Sequence, residues 1–208
     1  MAKVLIPYYS AYGHIYEMVK AAADGARRVE GTEVKIVKVA EFEQVRKIMS
    51  SQEYYVQAQE AQENMPEATH DDLEWADGIL WGIPTRYGSM PAQMKQYLDS
   101  AGGLWAQGKL EGKATAIITS TGSIHGGQET TVITSLVPLL HFGMIFVGLP
   151  YGENPEQLTT DGIGGSPYGA ATVAGPSGEE QPKEAELVMA GRLGERLAKV
   201  AKALANVT

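Results

Sequence analysis

The chain contains no cysteine, which removes disulfides, thiol nucleophiles and thiolate metal sites. Any redox chemistry must therefore be carried by a bound cofactor. Long apolar runs are missing too: the most hydrophobic stretches are broken by His, Gly or Pro well short of a membrane span. The 17 Lys and Arg residues face 25 Asp and Glu, a net charge of −8, and they form no basic block. That balance argues against nucleic acid as a partner and against insertion into anionic membranes. Met1-Ala2-Lys3 leads straight into a strand pattern with no h-region and no cleavage pattern, so a cytoplasmic location is expected. Three motifs are also absent: G-x-G-x-x-G after the first strand, the P-loop, and the G-x-S-x-G nucleophile elbow. The four His have few carboxylate neighbours and give no metal motif.

What is present is an alternation of strand-like and helix-like segments. With 208 residues and a 44% apolar fraction, residues 1–208 suit one domain with a substantial core. Strands are expected at Lys3 to Tyr9, Glu33 to Val39, Gly78 to Ile83, Ala114 to Thr119 and Met144 to Leu149. Helices are expected at Tyr16 to Arg28, Met90 to Ser100 with Pro91 near N1, Gln128 to Phe142, and Glu184 to Leu204. Five strands alternating with helices predict an α/β fold, a doubly wound parallel sheet covered on both faces. Pro7 lies inside the first strand, where it removes a ladder donor and predicts a bulge or an edge position. Pro138 predicts a kink or an early end to its helix.

Two segments stand outside the repeat. Residues 41–64, rich in Glu and Gln, read as a polar, partly helical insertion. Residues 151–178 form a loop dense in Gly, Pro, Thr and Asn, in which Ala170 to Ala174 has the pattern of a short strand continuing the fifth.

In an open parallel sheet, ligands bind beyond the carboxyl ends of the strands. After the first strand comes Ser10-Ala11-Tyr12-Gly13-His14-Ile15, a polar turn opening onto a helix N-terminus and hence an anion site. After the third comes Pro84-Thr85-Arg86-Tyr87-Gly88. After the fourth comes Ser120-Thr121-Gly122-Ser123-Ile124-His125-Gly126-Gly127. Hydroxyls and free N–H groups suit a phosphate, and Tyr12 and Tyr87 suit a flat ring. With dinucleotide and P-loop motifs missing, a mononucleotide with a planar ring remains, and FMN is the natural candidate.

The set Y-Y-S-A-Y-G-H-I, P-T-R-Y-G-S-M, G-G-L-W, S-T-G-S-I-H-G-G-Q-E-T-T, H-F-G-M and G-G-S-P-Y-G-A resembles the WrbA-type NAD(P)H:quinone oxidoreductases, in order from Lys3 to about Gly175. The resemblance implies a flavodoxin-like sheet of order 2-1-3-4-5. It implies FMN-dependent, two-electron reduction of quinones by NADH or NADPH with ping-pong kinetics, in a homotetramer. It assigns FMN phosphate to Ser10, Ala11, Tyr12, Gly13, His14 and Ile15, and the isoalloxazine border to Thr85, Arg86 and Tyr87. The remaining ring edge and ribityl chain fall to Ser120, Thr121, Gly122, Ser123, Ile124, His125 and Gly126. There the chain departs from the family's glycine-rich S-T-G-T-G-G-G. Trp105 corresponds to an aromatic wall over the nicotinamide and quinone pocket, although an aromatic packing a helix end has the same local pattern. Tyr12 is implied as a nicotinamide contact. His141 corresponds to a histidine that reaches FMN in an adjacent subunit, and it stands against the alternative of a satisfied core His. The G-G-S-P-Y-G-A motif implies an extension towards a neighbouring subunit. Two other readings stay open: a flavodoxin-type one-electron carrier, and a non-catalytic regulatory flavoprotein.

Overall fold

A computed structural model describes residues 1–205. Strands β1 (Ala2–Tyr8), β2 (Thr32–Lys38), β3 (Gly78–Pro84), β4 (Ala114–Thr121), β5 (Ile145–Phe146) and β6 (Ala170–Val173) form one parallel sheet. Its order is β2-β1-β3-β4-β5, and β6 also pairs with β4. The expected 2-1-3-4-5 flavodoxin-like order is what forms. β3 and β4 are buried along their whole length, as expected for strands covered on both faces.

Alternation along each strand sorts the core into two layers. Val4, Ile6, Tyr8 and Leu80 face one side, with helices α1 (His14–Arg27) and α8 (Glu184–Leu204). Leu5, Ile79, Trp81 and Ile83 face the other. That second layer is covered by α4 (His70–Trp75), α5 (Ala92–Ser100) and α7 (Gln128–His141), together with α3 (Glu53–Glu60). The polar insertion is helical as expected, with α2 (Glu43–Met49) and α3 in it, and α6 (Gly102–Ala106) is a single turn. Trp81 satisfies its buried indole by donating to Thr115 Oγ1 at 2.9 Å.

The α1–α8 contact is made by bare backbone. A Cβ on Gly25 would lie 1.8 Å from Gly191 O, and one on Gly194 would lie 2.0 Å from Ala22 O. Only glycine permits that approach.

Several local expectations are corrected. Pro7 is in an interior strand, paired with Val37 of β2 in unbroken register, so it marks neither an edge nor a bulge. Its alternate neighbours Lys3 and Tyr9 bond towards β3, so its missing N–H falls on that side. The β1–β3 ladder pairs Val4, Leu5 and Tyr8 but skips Ile6 and Pro7. The strand tolerates proline through a local gap in one ladder. Pro91 does stand next to N1 as expected, as the N-cap of α5. Pro138 does not end α7, which runs on to His141.

The fifth strand is the largest difference. β5 is only two residues long and pairs with Ala114 and Thr115, whereas β6 pairs with Ile118 to Thr121 further along the same strand. One strand position is thus filled by two segments, as the pattern at Ala170 to Ala174 suggested. The chain between them is held to α8 by Arg192–Glu156 at 2.6 Å and Arg196–Glu153 at 3.1 Å. In the G-G-S-P-Y-G-A motif, residues 164–170, Gly164, Ser166, Gly169 and Ala170 are buried against the chain's own sheet and α8 while Tyr168 is exposed. A Cβ on Gly169 would lie 2.3 Å from Ile117 O.

Glu186 fixes this arrangement. It is fully buried on the first turn of α8. Its carboxylate accepts from Gly164 N, Lys183 N and Thr172 Oγ1 at 2.7–2.8 Å, and from Val173 N at 3.3 Å. Four donors satisfy a buried carboxylate that would otherwise be costly. Glu186→Gln turns an amide N–H₂ towards these donors and should destabilise the fold by about 2–3 kcal/mol. An unchanged urea midpoint would remove Glu186 from this role.

Candidate functional site

The three loops after β1, β3 and β4 meet at the carboxyl edge of the sheet around a cleft of about 420 Å³. Of the residues expected there, Ser10, Ala11, Tyr12, His14, Ile15, Thr85, Arg86, Ser120, Thr121 and Gly122 line it. Gly13 sits among them as the N-cap of α1, at φ 92°. A left-handed residue there lets the chain turn sharply from strand into helix.

The loop presents donors to the cleft. Ser10 Oγ accepts from Gly13 N at 3.1 Å and Tyr16 N at 3.3 Å. Its own O–H therefore remains to donate outward. The N–H groups of His14 and Ile15 are in the first helical turn and have no intrahelical acceptor. Among the described residues, nothing accepts from Ala11 N or Tyr12 N either. Unpartnered donors at the positive end of a helix dipole fit a phosphate.

His14 is buried, and its Nε2 lies 3.1 Å from Gly178 O and 3.5 Å from the Tyr54 hydroxyl. The carbonyl fixes Nε2 as the donor. Burial lowers its pKa from the usual 6.5, with the carbonyl contacts at Gly178 and Glu180 opposing. Tyr12 stacks on Tyr54 at 5.9 Å and 15° and meets Tyr55 edge-on. At the end of β1, Tyr9 donates to Glu41, and Gln93 donates to the same carboxylate. Burial, with Glu41 adding to it, raises the Tyr9 pKa and keeps that phenol neutral.

The loop after β3 is a tight hairpin. Arg86 N donates to Ser89 O and Ser89 N to Arg86 O, with Tyr87 at φ 55° and Gly88 at φ 79° between them. Such positive φ is strained for a tyrosine, by about 1–2 kcal/mol. The strain is held by α7: Thr131 Oγ1 donates to Thr85 Oγ1 at 2.7 Å, and Thr134 Oγ1 to Gly88 O at 2.9 Å. The outcome is a rigid turn that presents the Tyr87 ring wholly to solvent.

Besides Gly13, seven expected residues lie outside the cleft lining. Tyr87 points away from it, and Ser123, Ile124, His125 and Gly126 follow Gly122 beyond its rim, the first three of them exposed. Trp105 and His141 are brought together elsewhere. The Trp105 indole donates to His141 O at 2.9 Å, and both side chains are exposed. His141 ends α7 and borders a separate depression with Met90, Val137 and Phe142, so it is not a core histidine.

The sequence reading missed two walls of the cleft. Gln52 and Tyr54 reach it from the insertion, and Ala174 to Gly178 reach it from the turn after β6. The signal for the second was present: once Ala170 to Ala174 is a strand, the A-G-P-S-G after it belongs at the carboxyl edge. Among the described residues no three His, Asp or Glu side chains come together as a metal site would need.

The fold and cleft define a flavodoxin-like α/β protein with a donor-lined cleft at the carboxyl edge of its sheet. The family model for the NADPH-dependent FMN reductases matches residues 9–152. An NAD(P)H dehydrogenase (quinone) of Aromatoleum aromaticum is 45% identical, over 97% of both chains. That of Geobacter metallireducens is 46% identical, over 97% of this chain and 98% of its own. A flavodoxin, WrbA-like protein from Agrobacterium tumefaciens shares the fold at a TM-score of 0.68 and 21% identity, covering 98% of this chain and 99% of its own. The chain belongs to the NADPH-dependent FMN reductase family, a group of flavin oxidoreductases. The likeness to WrbA-type enzymes drawn from the motifs holds.

For the flavin-free protein, the lowered His14 pKa gives a signed expectation. Below 6.5 the unfolded chain takes up a proton that the folded His14 resists, so stability is lost as pH falls through that value. His14→Gln should flatten the melting temperature on the acid side of 6.5. Parallel curves for variant and parent would assign the acid loss to other groups.

Proposed function

We propose that this protein reduces quinones to hydroquinones in two-electron steps with NADH or NADPH, by a ping-pong cycle in one pocket. The observation that carries the reading is the cleft at the carboxyl edge, where the unpartnered donors of the first loop meet the hydroxyls of the next two. FMN, when bound there, supplies the redox chemistry between nicotinamide and quinone.

The chain's own residues bind and orient. The N–H groups from Ala11 to Ile15 and the Ser10 hydroxyl would hold the phosphate. Thr85 and Arg86 would border the ring, with Arg86 the one Lys or Arg among the described residues of the cleft wall. Ser120, Thr121 and Gly122 would follow the ribityl chain and the far ring edge. No side chain is required as an obligate acid or base; protons come from solvent or from His141.

Trp105, Tyr87 and His141 enter this reading through assembly. Ile133, Val137 and Leu140 form an apolar stripe on the outer face of α7, each about half exposed. Spaced by four and three residues, they share one side of the helix. Continuous exposed apolar surface marks an interaction face. We assign it to further copies of this chain in a homotetramer. Trp105 and His141 then line the quinone and nicotinamide pocket next to a neighbour's flavin.

Anaerobic NADH or NADPH should bleach the flavin of the FMN-loaded protein, and benzoquinone should restore the colour. If neither nucleotide bleaches it while dithionite does, the one-electron carrier reading takes over. Trp105→Ala should leave that bleaching intact and raise the KM for quinone; unchanged quinone kinetics would take Trp105 out of the pocket. Val137→Glu places a charge in the α7 stripe and should reduce the mass seen by light scattering, with weakened FMN binding. A variant of unchanged mass would move the assembly face elsewhere.

A further inference from the structure

The polar insertion does more than border the cleft. From α3, Gln59 Nε2 donates to Ser10 O at 3.0 Å and to Ala11 O at 2.9 Å. Gln62 lies just past the end of α3, and its Nε2 reaches Ser10 O at 3.3 Å as well as Ala58 O at 2.6 Å. These are long-range contacts, 48 to 52 residues apart in sequence. Lys38 Nζ donates to Gln59 Oε1 at 2.8 Å, which fixes the carboxamide with its nitrogen towards the loop.

The two carbonyls matter because of what lies behind them. In a planar trans peptide the C=O and the following N–H point in opposite directions. Holding Ser10 O and Ala11 O towards α3 therefore turns Ala11 N–H and Tyr12 N–H the other way. Both belong to the set of loop donors that find no acceptor among the described residues. A carbonyl that has accepted a hydrogen bond also polarises its peptide, strengthening the N–H on the far side. Without the glutamines, either peptide could rotate and turn a carbonyl oxygen towards a bound anion.

Stability alone does not account for Gln62. It is 1% exposed, and its Oε1 has no hydrogen-bond partner. An unsatisfied buried carbonyl is a cost that an apolar residue of similar size would avoid.

We infer that Gln59 and Gln62 are positioning residues for anion binding: they set the peptide planes of Ser10–Ala11 and Ala11–Tyr12 so that the first loop receives the phosphate of a flavin mononucleotide. This rests on the proposal that FMN phosphate occupies that loop. It gives the insertion a function in cofactor selectivity, between flavins that carry a phosphate and flavins that do not.

The test compares FMN with riboflavin, measured by flavin fluorescence quenching on the full-length protein. Gln59→Met and Gln62→Met keep side-chain length and remove the donor. Each should raise the Kd for FMN by about tenfold while the Kd for riboflavin stays within about twofold, the loss expected for about one hydrogen bond to a charged group. Gln57→Met, on α3 with its amide turned to Glu53, should change neither. Folded glutamine variants that keep the parent's preference for FMN would overturn the inference and leave the phosphate assignment standing. A parent protein with no preference for FMN over riboflavin would overturn both. Should the variants fail to fold, the wild-type chain decides by NMR. On FMN binding, the amide protons of Ala11 and Tyr12 should move downfield while the Gln59 carboxamide protons stay in place; a Gln59 signal that reorients would count against the assignment.

Discussion

The contact of α1 with α8 sets the position of everything at the cleft. α1 and α8 lie side by side on one face of the sheet, and α1 starts a short loop after β1, so its N-terminus is placed by how closely it can settle on both the sheet and α8. On the α8 side, Gly25 faces Gly191, and Ala22 O faces Gly194, at distances that leave no room for a Cβ. On the sheet side, Gly82 fills the same role beneath Ile15 and Val19. A single methyl at any of these points would lift the helix and carry its first turn away from the loops after β3 and β4. Packing of this density does not yield gradually. The donors of the first loop are therefore held by glycines that never touch a ligand.

A second constraint comes from the divided fifth strand. β5 satisfies only the lower part of β4's outer edge. The upper part is covered by β6 after a detour across α8. That detour delivers the turn at residues 174–178 to the cleft, where Gly178 O meets His14. Glu186 makes the detour permissible, because one carboxylate gathers donors from the loop, from β6 and from the N-terminus of α8. The far wall of the cleft is thus supported by a buried carboxylate that does not itself line the cleft.

What could be read in the sequence follows from the range of each interaction. Strand positions, the three loops at the carboxyl edge and the helical character of 43–60 rest on local pattern and on the rule that parallel strands open their ligand site at one end, while the strand order came with the family resemblance. Those features were legible. Pro7 was misread because local chemistry states that a donor is missing but not which neighbour must do without it. Tyr54, Gln59 and Gln62 were illegible for another reason. They act across about fifty residues of chain, and nothing in a Glu- and Gln-rich run marks which carboxamide faces a loop carbonyl. Trp105 and His141 were read from a resemblance. The structure brings them together by an indole–carbonyl bond, apart from the cleft.

That separation bears on how the chemistry is divided. The cleft has donors, hydroxyls and two stacked tyrosines. The strained Tyr87 turn, Trp105 and His141 carry aromatic surface into solvent beside the apolar stripe of α7. Strain of this kind persists only where the surroundings enforce it, and Thr131 and Thr134 of α7 supply that enforcement. The helix that presents the stripe is therefore the helix that fixes the hairpin at the cleft's edge. Seating a second copy on α7 would act directly on the geometry of Thr85 and Gly88. In the proposed assembly, association and cofactor binding are then coupled through two threonine hydroxyls, with no change in fold required.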